Sequence, residues 1–257
     1  MTKTAAPMTS GSIWKQMTFF AMPIFLGNLF QQLYNTVDSL IVGNFLGSSA
    51  LAAVSSSGSL IFMLIGFLSG ISAGAGVIVA RFFGAGDEKN LQRAVHTTVA
   101  FGLVAGVLMT GVGVALSPQI LRWMDTPESV MRESVTYLQI YFAGSLGFVM
   151  YNVLVGILQA VGDSRHPLYY LIVSSVINLV LDLLFITGFH TGVGGAAVAT
   201  VISQIVSALL CFWQLLRTKE SYGLKIRKIR FDKGILVQII KIGLPSGVQN
   251  SIIAFAT

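Results

Sequence analysis

Again and again along this chain, roughly 20 or more residues pass with hardly an Asp, Glu, Lys or Arg among them. A helix needs about 20 consecutive apolar residues to cross the hydrocarbon of a bilayer. Six such runs are complete, at residues 17–45, 50–80, 95–116, 137–161, 168–189 and 194–216, and a seventh begins near 235. Only 10% of residues are charged, against roughly 25% in soluble proteins, so most of the surface cannot face water. The pattern predicts an all-α, polytopic transmembrane bundle. Residues 1–216 form a six-helix lobe, 217–234 a basic linker, and 235–257 the start of a second lobe cut off in its first helix.

The positive residues alternate between loops. One side carries Lys3, Lys15, Arg81, Lys89, Arg93, Arg165, Arg217, Lys219, Lys225, Arg227, Lys228, Arg230 and Lys233; the other carries Arg122 and Arg132. By the positive-inside rule the amino terminus is expected in the cytoplasm of a multi-pass plasma-membrane protein. The basic balance (+6 net) therefore reads as topology rather than as a nucleic-acid surface. Within the linker, GLKIRKIRFDKG (223–234) interleaves apolar and basic residues. Such a segment either lies on an anionic leaflet or is a solvated loop that only sets topology. The single cysteine, Cys211, allows no intrachain disulfide.

The first and seventh runs share a local pattern: Pro23 with Asn28, and Pro245 with Asn250, each asparagine five positions after its proline. Six runs separate the copies, so both enter from one side. That implies two lobes related by an axis along the membrane normal. It also makes the carboxyl end read as a truncation, since a terminal carboxylate in hydrocarbon is costly.

Ionisable residues inside spans are rare and usually functional. Asp38 and Asp182 are the two acids well within these runs, both about 10–12 Å from the outer surface at 1.5 Å per residue. Thr200 lies at a similar level. Helical spacing adds Gln31, Asn35 and Asp38 on one face, with Tyr34 beside them. Asn178 and Asp182 are i,i+4; Thr200, Ser203 and Ser207 share a face; Ser145, Asn152 and Gln159 form a stripe. Carboxylates, amides and hydroxyls are hard oxygen ligands that suit Na⁺ or a proton; the competing reading is polar glue between helices. Pro23 is expected to kink its helix, as a static bend or a hinge. Gly66, Gly70 and Gly74, and Gly102 with Gly106, have close-packing spacing. His96, His166 and His190 fall at run ends or loops and read as interfacial. No enzyme-like triad, CxxC or phosphate loop is present, so no catalytic residue and no cofactor is expected beyond a coupling ion.

With these residues in hand, the chain resembles the multidrug and toxic compound extrusion (MATE) family. The segments that carry the resemblance are MPIFLGNLFQQLYNTVDSLIVGNFLGSSALAAV (22–54), ARFFGAGDEKNLQRAV (80–95), LQAVGDSRHPL (158–168), INLVLDLLFI (177–186) and GVGGAAVATVISQ (192–204). The resemblance implies the amino-terminal lobe of a two-lobe antiporter that exports amphipathic, often cationic, compounds in exchange for H⁺ or Na⁺. It implies a cation site at Asp38, Asn178, Asp182 and Thr200, with Tyr137 and Asn152 in the same pocket and Pro23 as a bending point. The missing carboxyl-terminal lobe is then the main partner, beside the bilayer and the small-molecule substrate. A flippase for lipid-linked glycans and a non-transporting half-length partner are the alternatives.

Overall fold

The computed structural model describes residues 12–256, so Lys3 and Thr257, which entered the charge and chain-end readings, lie outside it. Among the described residues the secondary structure is helical. The elements are α1 (Ile13–Leu46), α2 (Ser48–Gly84), α3 (Glu88–Trp123), α4 (Glu128–Ala143), α5 (Ser145–Ala160), α6 (Arg165–Leu183), α7 (Val193–Arg217) and α8 (Lys233–Ala256). A π-turn, Leu184–Gly188, extends α6, and a 3₁₀ turn, Ile226–Lys228, lies in the linker.

α2, α3, α7 and α6 with its π-turn are each long and apolar enough to span a bilayer, and α4 with α5 forms one span bent by 49°. α1 is as long, at 34 residues, but Asn28, Gln31, Gln32, Asn35 and Asp38 lower its hydropathy. A bundle tolerates such a helix when its polar face points inward. The expected spans are therefore present as six helical passages, followed by α8.

Several boundaries differ from the sequence reading: α3 runs Glu88–Trp123 rather than 95–116, seven residues longer at each end. The fourth passage starts at Glu128, well before 137, and breaks at Gly144. There the backbone presses against Val201 so closely that a Cβ would sit 2.3 Å from its side chain. Ser145, first residue after the break, shares a 2.9 Å hydrogen bond with Thr110 of α3. It keeps the helix face of Asn152 and Gln159 but packs against α3, while those two line a cavity. α1 and α2 are joined by Gly47 alone, at φ +88°, a conformation that glycine adopts without a Cβ penalty. Pro23 is held inside α1, which continues as helix on both sides of it.

The main core packs Ile78 and Val79 of α2, Leu91, Val95 and Val99 of α3, Leu154, Ile157 and Leu158 of α5, Cys211 and Leu215 of α7, and Ile239 of α8. α8 joins this core by crossing α2 almost backbone to backbone. A Cβ on Gly70 would lie 2.3 Å from Gly247 N, and one on Gly74 would lie 2.4 Å from Gly243 Cα. Small residues permit this approach in membranes, where van der Waals contact drives helix association. Leu244, Val248 and Ile252 on α8 remain exposed.

Candidate ion site and its neighbours

Three helices meet at two carboxylates. α1 carries Tyr34 and Asp38 one turn apart, α6 carries Asn178 and Asp182 one turn apart, and α7 brings Thr200 early in its course. Asp182 is completely enclosed, Asn178 almost so, and Thr200 is buried. With its amide turned so that both ends are satisfied, Asn178 bridges the other two: Nδ2 donates to Asp182 Oδ2 at 2.7 Å and the oxygen accepts the Thr200 N–H at 3.2 Å. The Tyr34 hydroxyl is within hydrogen-bonding reach of Thr200, whose own hydroxyl donates to the Ala196 carbonyl at 3.1 Å.

The carboxyl groups of Asp38 and Asp182 stand against each other within hydrogen-bonding reach. Yet Oδ1 of each is buried and accepts no hydrogen bond from the described residues. Ionised carboxylates are acceptors only, so two of them facing each other require a proton or a cation between them. Directly after Asp182 the helix widens into the π-turn, with the Phe189 N–H donating to the Leu184 carbonyl at 3.0 Å. Such bulges recur at functional sites.

Tyr137 is buried in the same small core as Ile41, Ile186 and Ala197, close enough to Asp38 to interact with it. Its ring stacks on that of Tyr141, centroid to centroid 6.5 Å. Tyr141 was missed by the sequence reading; its i,i+4 spacing from Tyr137 was the available signal. An apolar cleft of about 260 Å³, walled by Phe30, Leu33, Val37, Val176 and Leu179, reaches the cluster between α1 and α6.

The other expected lining residues are elsewhere. Gln31, Asn35 and Asn152 face a separate, larger cavity of about 690 Å³ between α1, α2, α5 and α6, with Asn28, Gln32, Gln159, Gln204 and Pro23. Asn152 also donates its amide to the Phe148 carbonyl of its own helix at 2.9 Å. Gln31, Asn35 and Asp38 share one face of the unbroken helix α1, but the boundary between two cavities crosses that face, with Asp38 in one and Gln31 and Asn35 in the other. Ser203 and Ser207 are buried, and their hydroxyls donate to carbonyls of α7 itself at 2.8 and 3.2 Å.

His96 also departs from expectation. It is 2% exposed. Its Nδ1 donates to the Gln92 carbonyl at 2.6 Å, and its Nε2 accepts the Lys225 N–H at 3.0 Å. Nothing in the one-dimensional pattern could have placed the linker over this residue. His166, by contrast, pairs with Asp163 at 2.6 Å, and His190 is exposed.

The MatE family model matches residues 23–184, well over half of the chain. Probable multidrug resistance protein YoeA of Bacillus subtilis (strain 168) is 34% identical over 95% of this chain and 54% of its own length. A solved outward-facing conformation of a multidrug resistance MATE family transporter superposes with TM-score 0.88 and 27% identity, over 97% of this chain and 55% of that one. An inward-facing conformation of such a transporter gives 0.80 and 29%, over 88% and 52%. The chain spans about half the length of the relatives it matches. With the helical lobe, the intramembrane acids and these likenesses agreeing, the chain belongs to the MATE family of membrane transporters, and is no enzyme.

Proposed function

We propose that this lobe is the ion-coupled half of an antiporter that exports amphipathic, often cationic, drugs in exchange for H⁺ or Na⁺. The observation that carries the reading is the pair of facing carboxylates, Asp38 and Asp182, each with a buried oxygen that no donor among the described residues satisfies. Asn178 steadies Asp182 through its amide N–H, and the Thr200 hydroxyl adds a further oxygen to a set of the kind that holds Na⁺ or a proton. Gln31, Asn35 and Asn152 line the neighbouring cavity; with no charge of their own, they suit a polar passage for solute or water.

In this reading the amino terminus and the basic linker lie on the cytoplasmic side of the plasma membrane. The ion enters from outside, its occupancy of the cluster reorders α1 against α6 and α7, and Pro23 absorbs part of the change. Movement of one charge across 100 mV supplies about 2.3 kcal/mol, enough for roughly 50-fold accumulation. A second lobe covers the exposed face of α8 and completes the central cleft. Multidrug export stands in the names of proteins this chain is similar to, among them the multidrug export protein MepA of Staphylococcus saprophyticus. Among the described residues neither cavity has a Lys or Arg in its lining, which speaks against a pyrophosphate-bearing lipid substrate.

The test is efflux of a fluorescent cationic dye from vesicles containing the intact protein that carries this chain. At ion concentrations that drive the unmodified protein, Asp38→Asn and Asp182→Asn should each abolish dye export while leaving the protein in the membrane. Ion-dependent export at the unmodified rate in both variants would refute the coupling role. Absence of any flux from the unmodified protein would favour a non-transporting partner.

A further inference from the structure

The linker from Thr218 to Asp232 is fastened to the lobe by its backbone. Gln92 of α3 donates its Nε2 to the Ser221 carbonyl and to the Gly223 carbonyl at 3.1 Å. His96 accepts the Lys225 N–H. Thr97 Oγ1 accepts the Asp232 N–H at 3.0 Å and donates to the Arg230 carbonyl at 3.4 Å. From the other side, the Leu224 N–H donates to the Leu215 carbonyl of α7 at 2.8 Å. Leu224 and Ile229 turn into the core. Lys225, Ile226, Arg227, Lys228, Arg230 and Phe231 are left facing outward, with Ile226 61% and Phe231 48% exposed.

The level of this strip relative to the bilayer follows from α3 and α7. From Ala94 to Leu121, α3 carries no Asp, Glu, Lys or Arg. That is about 42 Å of helix against a hydrocarbon core of roughly 30 Å, leaving about 6 Å at each end in the headgroup layer. Thr97, which holds Arg230 and Asp232, stands about 4.5 Å into the stretch, close to the boundary between headgroups and acyl chains. Leu224 is hydrogen-bonded to the Leu215 carbonyl of α7, and close by along α7 the Arg217 guanidinium lies 4.3 Å from the Trp213 ring centre. Tryptophan and arginine together are typical of that same boundary.

We propose that the outward strip of the linker is a docking surface for the anionic phospholipid leaflet. Lys225, Arg227, Lys228 and Arg230 engage headgroup phosphates, and Ile226 and Phe231 enter the layer just below them. The commitment to lipid rests on charge and place. From Arg217 to Lys233 there are seven basic residues against Glu220 and Asp232, and Asp232 is already occupied by Arg93 at 3.8 Å and by the Ile235 N–H. The inference does not depend on what Asp38 and Asp182 bind.

Nitroxide labels at Ile226→Cys and Phe231→Cys test it, in the intact protein that carries this chain, with any cysteine outside the chain replaced. Cys211 is fully buried and offers no competing surface thiol. The labelled protein is reconstituted in phosphatidylcholine vesicles with and without phosphatidylglycerol. Collision rates with lipid-soluble oxygen and with a water-soluble nickel chelate are then compared. Phosphatidylglycerol should raise the oxygen-to-nickel ratio at both sites by at least about fivefold, the partitioning that one basic residue gains at an anionic surface. Changing Lys225, Arg227, Lys228 and Arg230 to Gln should remove that response. The clamp survives this change, because it grips backbone atoms. Labels that stay equally open to nickel in both lipids would overturn the proposal. So would an undiminished response in the Gln variant, or protection reproduced by inorganic phosphate in pure phosphatidylcholine.

Discussion

The lobe contains two buried polar clusters that differ in physical design. One joins Asp38, Asn178, Asp182 and Thr200 across α1, α6 and α7. The other joins Gln92, His96 and Thr97 of α3 to the linker. The clamp sets neutral side chains against backbone N–H and C=O groups, so donors meet acceptors; of its side-chain atoms, Gln92 Oε1 lacks a partner. The carboxylate cluster sets acceptor against acceptor and leaves an oxygen of each acid unsatisfied. An unpaired buried charge costs far more than an unpaired amide. A protein keeps the first arrangement as a joint, whereas the second persists only if something outside the fold completes it.

The two clusters should therefore respond oppositely to substitution. The largest effect is expected at the acids. Asp182→Asn or Asp38→Asn removes one of two facing charges, and breaking such a buried arrangement is worth several kcal/mol. Affinity for the coupling ion, read from the ion dependence of dye efflux, should fall about a hundredfold or more. Amide exchange in the linker should not change. A hundredfold loss accompanied by rapid linker exchange would mean that the cluster is only a structural joint, and the contrast would collapse.

Next comes Asn178→Ala. It deprives Asp182 Oδ2 of its 2.7 Å donor, a hydrogen bond to a charged group worth about 1.5–3 kcal/mol. Ion affinity should drop about tenfold, with maximal efflux retained at high ion concentration. An unchanged ion dependence would remove Asn178 from the site and leave it as a bridge between α6 and α7.

The clamp should behave the other way. His96→Ala removes the acceptor for the Lys225 N–H, a neutral hydrogen bond worth about 1 kcal/mol. Amide exchange of residues 221–232, followed by mass spectrometry, should accelerate about fivefold. The ion dependence of efflux should stay as it was. If His96→Ala shifted ion affinity as strongly as Asn178→Ala, the two clusters would be one coupled unit.

The difference between the clusters also explains what the sequence could disclose. Asp38 and Asp182 stood out because an acid in an apolar run is expensive anywhere it lies, so its oddity survives the loss of three-dimensional information. The helical passages were legible for the same reason, since hydropathy is a local property. Gln92, His96 and Thr97 carried no such mark. Their role depends on a linker more than a hundred residues away folding back to the level of Leu215. The separation of Gln31 and Asn35 from Asp38 was hidden too: α1 serves two cavities, and helical spacing alone does not say where one ends. The break at Gly144 packs against Val201, 57 residues further along the chain, again outside the reach of local pattern.

The smallest effect is expected at Tyr141, the aromatic neighbour that sequence spacing left unremarked. Its ring packs on Tyr137 at 6.5 Å and on Phe148 at 6.2 Å, so it fixes the position of Tyr137 beside Asp38. Tyr141→Phe keeps that packing and nearly the same volume, a kind of change cores tolerate well. Ion affinity should move by about twofold or less, whereas Tyr141→Ala, by opening a cavity behind Tyr137, should weaken it further. If Phe weakened ion binding as much as Ala, the hydroxyl itself would act on the carboxylates. The ion site would then extend onto α4 rather than ending at the three helices that carry Asp38, Asp182 and Thr200.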